Sequence, residues 1–391
     1  MTKPIPGKNQ FHRNEALDGY RGFGCLLVML GHTQWHGRTI LPGAMAAMDL
    51  FFVLSGFLIG GLLLAELRKT NTISVGQFWK RRAIRLLPAF YLYYSIVAIV
   101  FAISKFRPIV GTDPQVSLLS TAFYASNWAV ARGYDLGVYF VTWSLSLEEQ
   151  FYLLCPLLFL LLFKFFDKKT VLGLFVLGIF GVNVHRFFLF HHLAETDGIL
   201  IAFKAVFYRL DTRSDALLIG CAGAIFYNLY GDKVKIGPRV ALCAAAALFG
   251  SILFVRDVPV AFHQSATSPF TEFLIAGGFT FFSLLGLLCN IHVLQYPESF
   301  LTKFFSTRFL IRIGTLSYSI YLWHTTVFGG LEILLRDLNR SPALWLLKTG
   351  VAFTVAFSIG YASFRFVEFP ILDYLFRKRK FVPIPLKDST L

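Results

Sequence analysis

The sequence predicts an all-α integral membrane protein, a bundle of about ten transmembrane helices with both termini on the cytoplasmic side. Three observations carry that expectation. Hydrophobic residues make up 56% of the 391 residues and charged residues only 15%, against about 25% charged in a soluble domain. The mean hydropathy is +0.62, and Phe occurs 44 times, more than an ordinary soluble core uses. The apolar residues also gather into stretches near the ~20 residues that cross a bilayer.

Those stretches run at about 16–36, 43–66, 83–104, 143–166, 170–190, 212–230, 238–256, 269–290, 308–331 and 342–367, with several residues of latitude at each end. Ten spans return the chain to the side on which it started. The expected division is a cytoplasmic N-terminal segment at 1–15, a transmembrane domain at 16–370 and a basic cytoplasmic tail at 371–391. The first fifteen residues are polar and no small-residue cleavage site follows them, so the first span is expected to stay as an anchor.

Charge placement sets the orientation. The net charge is +15, which would suit nucleic acid, but the hydropathy and the position of the charge speak against such a partner. Arg68, Lys69, Lys80, Arg81, Arg82 and Arg85 cluster between the second and third stretches, and Arg377 to Lys380 follow the last. Short basic links mark the cytoplasmic side, as do Lys3, Lys8 and Arg13. The segment from Lys105 to Thr142, with Pro108, Trp128 and Tyr139, is the longest link and is expected outside. Phe187 to Asp211 is expected as a second outer excursion.

The first stretch carries Arg21 and His32 eleven residues apart. At 100° per residue they fall within about 20° of one another and about 16 Å apart along the axis. Ionisable groups in a membrane helix are costly and usually face a polar interior. The second stretch opens on Asp49 outside, at the depth expected for His32. The third brings Arg82 and Arg85, three apart and on one face, to the cytoplasmic mouth. The fourth opens on Trp143 at the interface, with Glu148 and Glu149 one to two turns deep.

A His beside an Asp is the minimal general-base unit, the carboxylate holding the tautomer while the imidazole takes a hydroxyl proton. Arginines at a mouth suit a phosphate-bearing substrate, which guanidinium binds bidentately. An acyl-coenzyme A would join the two ends, its nucleotide phosphates on Arg21, Arg82 and Arg85 and its thioester near His32. An acceptor hydroxyl would arrive from outside. A structural His–Asp contact, and lipid-headgroup or topology roles for the basic loop, are the plainer alternatives. A proton-coupled transporter or flippase of glycolipids would use the same residues as a relay.

The remaining signals are weaker. Ser55 lies in Ser55-Gly56-Phe57, with Gly60-Gly61 following, a pattern of close helix packing. Arg213 and Asp215 read equally as a buried pair or a polar lining. His324 after Trp323 reads as interfacial, and Glu368 as a helix-end group. Ser55, Trp143, Glu149, Arg213, Asp215 and His324 are kept as candidate site lining. The five cysteines, Cys25, Cys155, Cys221, Cys243 and Cys289, sit in apolar stretches as small hydrophobes. With no metal spacing at these or at His191-His192, neither a metal nor a resident cofactor is expected.

In order, the chain reads Leu17-Asp18-Gly19-Tyr20-Arg21-Gly22 with His32, then Asp49-Leu50-Phe51-Phe52-Val53-Leu54-Ser55-Gly56-Phe57-Leu58-Ile59. Phe78-Trp79-Lys80-Arg81-Arg82-Ala83-Ile84-Arg85-Leu86-Leu87-Pro88 follows, then Trp143-Ser144-Leu145-Ser146-Leu147-Glu148-Glu149-Gln150-Phe151-Tyr152. The last matches are Arg213-Ser214-Asp215-Ala216-Leu217, Leu316-Ser317-Tyr318-Ser319-Ile320-Tyr321-Leu322-Trp323-His324 and Glu368-Phe369-Pro370. Together these resemble the integral-membrane acyltransferase-3 family over residues 16 to 370. The resemblance implies transfer of an acyl group, commonly acetyl, from acyl-CoA as co-substrate to a hydroxyl of a carbohydrate or glycolipid. It implies catalytic roles for His32 and Asp49, a place at the site for Glu148, and donor binding by Arg21, Arg82 and Arg85. The expected location is the plasma membrane, the inner membrane of a bacterium, among membrane lipids. Some members of the family carry an esterase-like domain after the bundle. None is read in this sequence, so a partner protein supplying that part is one expectation.

Overall fold

The computed structural model describes residues 14–35, 38–104, 109–254, 268–335 and 341–378. Lys3, Lys8, Arg13, Lys105, Pro108, Arg379 and Lys380, on which part of the orientation argument rests, lie outside the described residues. Helix α1 spans Glu15–Gly31, a short hairpin pairs β1 (Gln34–Trp35) with β2 (Arg38–Thr39), and α2 (Ala47–Thr70) and α3 (Val75–Ser104) follow. Then come α4 (Pro114–Ala122), α5 (Ser126–Ala131), α6 (Thr142–Phe165), α7 (Lys168–Thr196), α8 (Ile199–Tyr208), α9 (Leu210–Arg213), α10 (Asp215–Tyr230) and α11 (Pro238–Phe254). The last part holds α12 (Pro269–Phe273), α13 (Phe279–Gln295), α14 (Phe300–Phe305), α15 (Arg308–Leu334), α16 (Pro342–Ser363) and α17 (Phe369–Lys378).

Among the described residues the chain is all-α apart from the hairpin, and each of the ten predicted stretches carries a helix. Among the described residues six helical stretches are long and apolar enough to cross a membrane. They are Pro42–Thr70, Val75–Ser104, Gly137–Phe165, Lys168–Thr196, Pro269–Gln295 and Pro342–Tyr374. Helices α8, α10 and α11 are apolar and shorter.

Local chemistry sets the helix starts. Asn14 accepts from the backbone of Ala16 and Leu17 to cap α1, and Asp113, Asp167 and Ser341 cap α4, α7 and α16 in the same way. Side-chain oxygens at these positions satisfy amides that the helix leaves open.

Glycines set two close helix crossings. A Cβ on Gly314 of α15 would lie 1.8 Å from the carbonyl oxygen of Asp18, and one on Gly22 would lie 2.1 Å from that of Leu310. Helices α1 and α15 therefore meet backbone to backbone, as small residues allow in membrane bundles. Gly56 against Leu217 and Gly220 against Val53 bring α2 and α10 together likewise, so the Ser55-Gly56-Phe57 stretch packs as its composition predicts.

Three expectations change. The 105–142 segment, where described, is a folded cap rather than an open loop. It holds α4 and α5 and ties down through Asn127 and Trp128, both bonded to Gln150 of α6. The expected excursion from Phe187 is largely helix, because its apolar side chains continue α7 to Thr196 and form α8. Helix α3 starts at Val75 rather than near 83, since Phe78 buries and Trp79 donates to the Tyr152 carbonyl at 3.3 Å. Arg82 and Arg85 consequently sit about 10 and 15 Å along α3 from its start.

Candidate active site

Helix α1 ends at His32, its C-cap. The ring Nδ1 lies 2.8 Å from the Val28 carbonyl oxygen. A carbonyl only accepts, so Nδ1 carries the proton and the neutral ring keeps its lone pair on Nε2. His324 of α15 sets its own Nδ1 2.6 Å from the Tyr321 carbonyl. Its Nε2 therefore faces His32 Nδ1 with a lone pair, at 3.5 Å. The rings meet edge to face with centroids 4.9 Å apart. His324 is fully buried; it belongs to this pair and not to an interface, which corrects the sequence expectation.

The expected His32–Asp49 contact is not formed. Among the described residues no hydrogen bond or ion pair joins them. Asp49, buried in the first turn of α2, pairs with Arg213 at 2.9 Å and accepts from Ser283 at 3.5 Å. Arg213 stacks over Phe279 at 4.0 Å. Asp215 takes a different cation, Arg186 of α7, at 2.9 Å, and also accepts from Thr280 at 2.7 Å. Asp49, Arg213, Asp215 and Arg186 are all fully buried, so four charges of alternating sign close a polar seam between α2, α7, α10 and α13. A buried arginine attracts the nearest carboxylate more strongly than a neutral imidazole can, which is why Asp49 turns away from His32.

Glu148 joins the arginines. It accepts from Ser55 at 2.8 Å and lies in the field of Arg82 and Arg21. Arg82 sits over the Tyr152 ring at 4.0 Å, with Glu149 also within electrostatic reach. Arg85 is exposed and close enough to Arg21, Arg82 and Asp18 to feel their charge. Arg21 holds an ion pair with Asp18 at 3.6 Å. Glu368, reached through a π-helical turn at 364–368, accepts from Ser319 and faces Arg85.

Tyr321 links the two ends. Its hydroxyl hydrogen-bonds Ser144 at 2.6 Å, its carbonyl holds His324, and Glu148 lies within its electrostatic reach. Trp143 packs edge-on to Phe52 and Tyr208 and is buried, so it is a wall within the bundle. Among the described residues no group of three or more His, Cys, Asp or Glu is placed to hold a metal.

The comparison with known proteins decides the family. The acyltransferase domain family matches residues 14–362. The chain belongs to this family. It is 31% identical over 366 residues to the peptidoglycan O-acetyltransferase OatA of Listeria monocytogenes serovar 1/2a, covering 91% of this chain and 55% of that protein. It is 28% identical over 378 residues to the O-acetyltransferase OatA of Staphylococcus aureus strain NCTC 8325, covering 94% of this chain and 58% of that one. The chain thus spans little more than half the length of these relatives. No solved structure matches it.

Two members of the polar interior escaped the sequence reading. Lys348 is the one formal charge of α16 and Arg186 lies well inside α7, and charges placed so are signals in themselves. Lys348 is buried and paired with Glu332 of α15.

Proposed function

We propose that the chain is a plasma-membrane O-acyltransferase that moves an acetyl group from cytosolic acyl-CoA to a hydroxyl of a carbohydrate or glycolipid at the outer side. The observation that carries the reading is His32, whose Nδ1 proton is committed to Val28 so that Nε2 is the available base. Family membership supplies the acyl-transfer chemistry, and the relatives' names, O-acetyltransferases, supply the acetyl group.

The residues divide the work. Arg21, Arg82 and Arg85 engage the donor's phosphates, with Arg85 the most exposed of the three. Glu148, anchored by Ser55, sets the spacing and charge of Arg82 and Arg21. His32 Nε2 takes the proton of the acceptor hydroxyl, the oxygen attacks the thioester carbonyl, the C–S bond breaks, and the thiolate leaves with that proton. His324 and the Val28 carbonyl hold the imidazole, the role first given to Asp49. Asp49 acts through Arg213 on the seam that fixes the start of α2, as a positioning residue.

The test is a transfer assay on the purified chain in lipid vesicles, with acetyl-CoA labelled in the acetyl group and glycan oligomers as acceptors. Label moving to glycan in a His32-dependent way supports the proposal. Glycan crossing the bilayer without gaining label would make the chain a flippase.

A further inference from the structure

A cavity of roughly 230 Å³ opens beside His32 between α15 and α16. Its polar lining comes from His32, Gln34, Thr325, Glu332, Lys348 and Thr349. Lys348 is only 4% exposed, about 9 Å along α16 from Pro342, and its ammonium is held by Glu332. Next to the lining residue Gln34, the indole of Trp345 donates to the Gln34 carbonyl at 2.8 Å and stacks on Trp35 with ring centroids 5.8 Å apart.

We infer that this cavity is the acceptor subsite, that it takes one uncharged sugar ring of a glycan, and that the Lys348–Glu332 pair is its specificity-determining contact. A lysine buried in a membrane helix is costly, so one that lines a cavity calls for a role there. The pair brings one charge of each sign, and no other formal charge lines the cavity among the described residues. An ammonium gives donors and a carboxylate gives acceptors, which matches the alternating donors and acceptors of vicinal hydroxyls. The threonine hydroxyls and Gln34 extend that set. The partly buried indoles of Trp35 and Trp345 beside Gln34 suit the apolar C–H face of a pyranose. His32 lines the same cavity, so a ring seated on the pair brings a hydroxyl toward the proposed base.

The subsite rests on the acyl-transfer reading, and the experiment separates the two. The full chain in lipid nanodiscs is titrated with N-acetylchitotetraose, without any donor, and binding is followed by saturation-transfer NMR and indole fluorescence. Wild type is expected to bind saturably. Lys348→Met should weaken binding at least ten-fold, Glu332→Gln should do the same, and Lys348→Arg should retain most of it. Gly173→Ala, in α7 where an added methyl meets nothing within 4 Å, should bind the glycan as wild type does. Should Lys348→Met fail to fold, Glu332→Gln and Lys348→Arg carry the comparison. Absence of wild-type binding, or unchanged binding in the folded pair variants, overturns the subsite. Transfer to glycan with an acceptor KM indifferent to Lys348 and Glu332 would sink the subsite and leave the acyltransferase standing. Binding that depends on Lys348, with no transfer from any acyl donor, would do the reverse.

Discussion

His324 presents its unprotonated Nε2 to the Nδ1–H of His32 at 3.5 Å, with the two rings edge to face. The contact is at the limit of a hydrogen bond, so the main director of His32 is the Val28 carbonyl at 2.8 Å. A backbone carbonyl cannot be removed by mutation, and it fixes the tautomer without placing a negative charge beside the ring.

His32→Ala should therefore lower acetyl transfer by about 10²- to 10⁴-fold, the usual worth of a positioned acid–base group, while the thermal midpoint in detergent stays near wild type. His324→Phe keeps an aromatic edge and removes the second nitrogen. It should cost far less, within about ten-fold. Equal losses in both variants would show that the pair, and not His32 alone, handles the proton. Both arms are read from initial rates with labelled acetyl-CoA.

The buried seam makes a stability prediction. Removing Arg186 strands the Asp215 carboxylate in a site that is fully closed. Breaking such a pair typically costs about 3–5 kcal/mol, so Arg186→Met should sharply lower the thermal midpoint. Arg186→Met with Asp215→Leu removes both charges and should recover much of the loss. The same logic applies to Asp49 and Arg213, and Asp49→Asn should lose folded protein before it loses turnover per folded molecule. Turnover lost at full stability would return Asp49 to the chemistry.

The split between what the sequence showed and what it hid follows from range. Helices were legible because apolar runs and capping residues act locally, and Arg21 with His32 share α1, where spacing alone places them. The start of α3 was placed too late, because Phe78 and Trp79 extend the helix back to Val75 through residues that looked like loop. The Asp49–Arg213 pair joins residues far apart in the chain, and depth alone could not choose between Arg213 and His32 as its partner. Arg186 and Lys348 were visible as charges inside apolar helices, yet their partners Asp215 and Glu332 only emerge once α7, α10, α15 and α16 are packed.

The glycine crossings predict a sharp positional contrast. Gly314→Ala would drive a methyl to 1.8 Å from the Asp18 carbonyl, and backbone there cannot yield without moving α1 off α15. That displacement would also pull His32 from His324, so both folded yield and activity should fall. Gly173→Ala in α7 meets nothing within 4 Å and should be neutral or slightly stabilising, since alanine favours helix over glycine by up to about 1 kcal/mol. Membrane-extracted yield and melting midpoint for the two variants settle the contrast.

The donor prediction turns on three arginines with different surroundings. Arg85 is exposed, Arg82 is stacked on Tyr152, and Arg21 is tied to Asp18. A charge-assisted contact contributes about 1.5–3 kcal/mol, so Arg85→Gln should raise the KM for acetyl-CoA roughly ten- to a hundred-fold, leaving the acceptor KM nearly unchanged. Arg82→Lys should lose more than its charge suggests, because lysine keeps the charge but gives up the planar guanidinium that covers Tyr152. Acetyl-pantetheine, which lacks the nucleotide phosphates, should be a poor donor for the wild type and almost indifferent to both substitutions. If it proved as sensitive as acetyl-CoA, the arginines would be holding Glu148 and Tyr152 in place rather than binding the donor, and the donor path would have to enter elsewhere in the bundle.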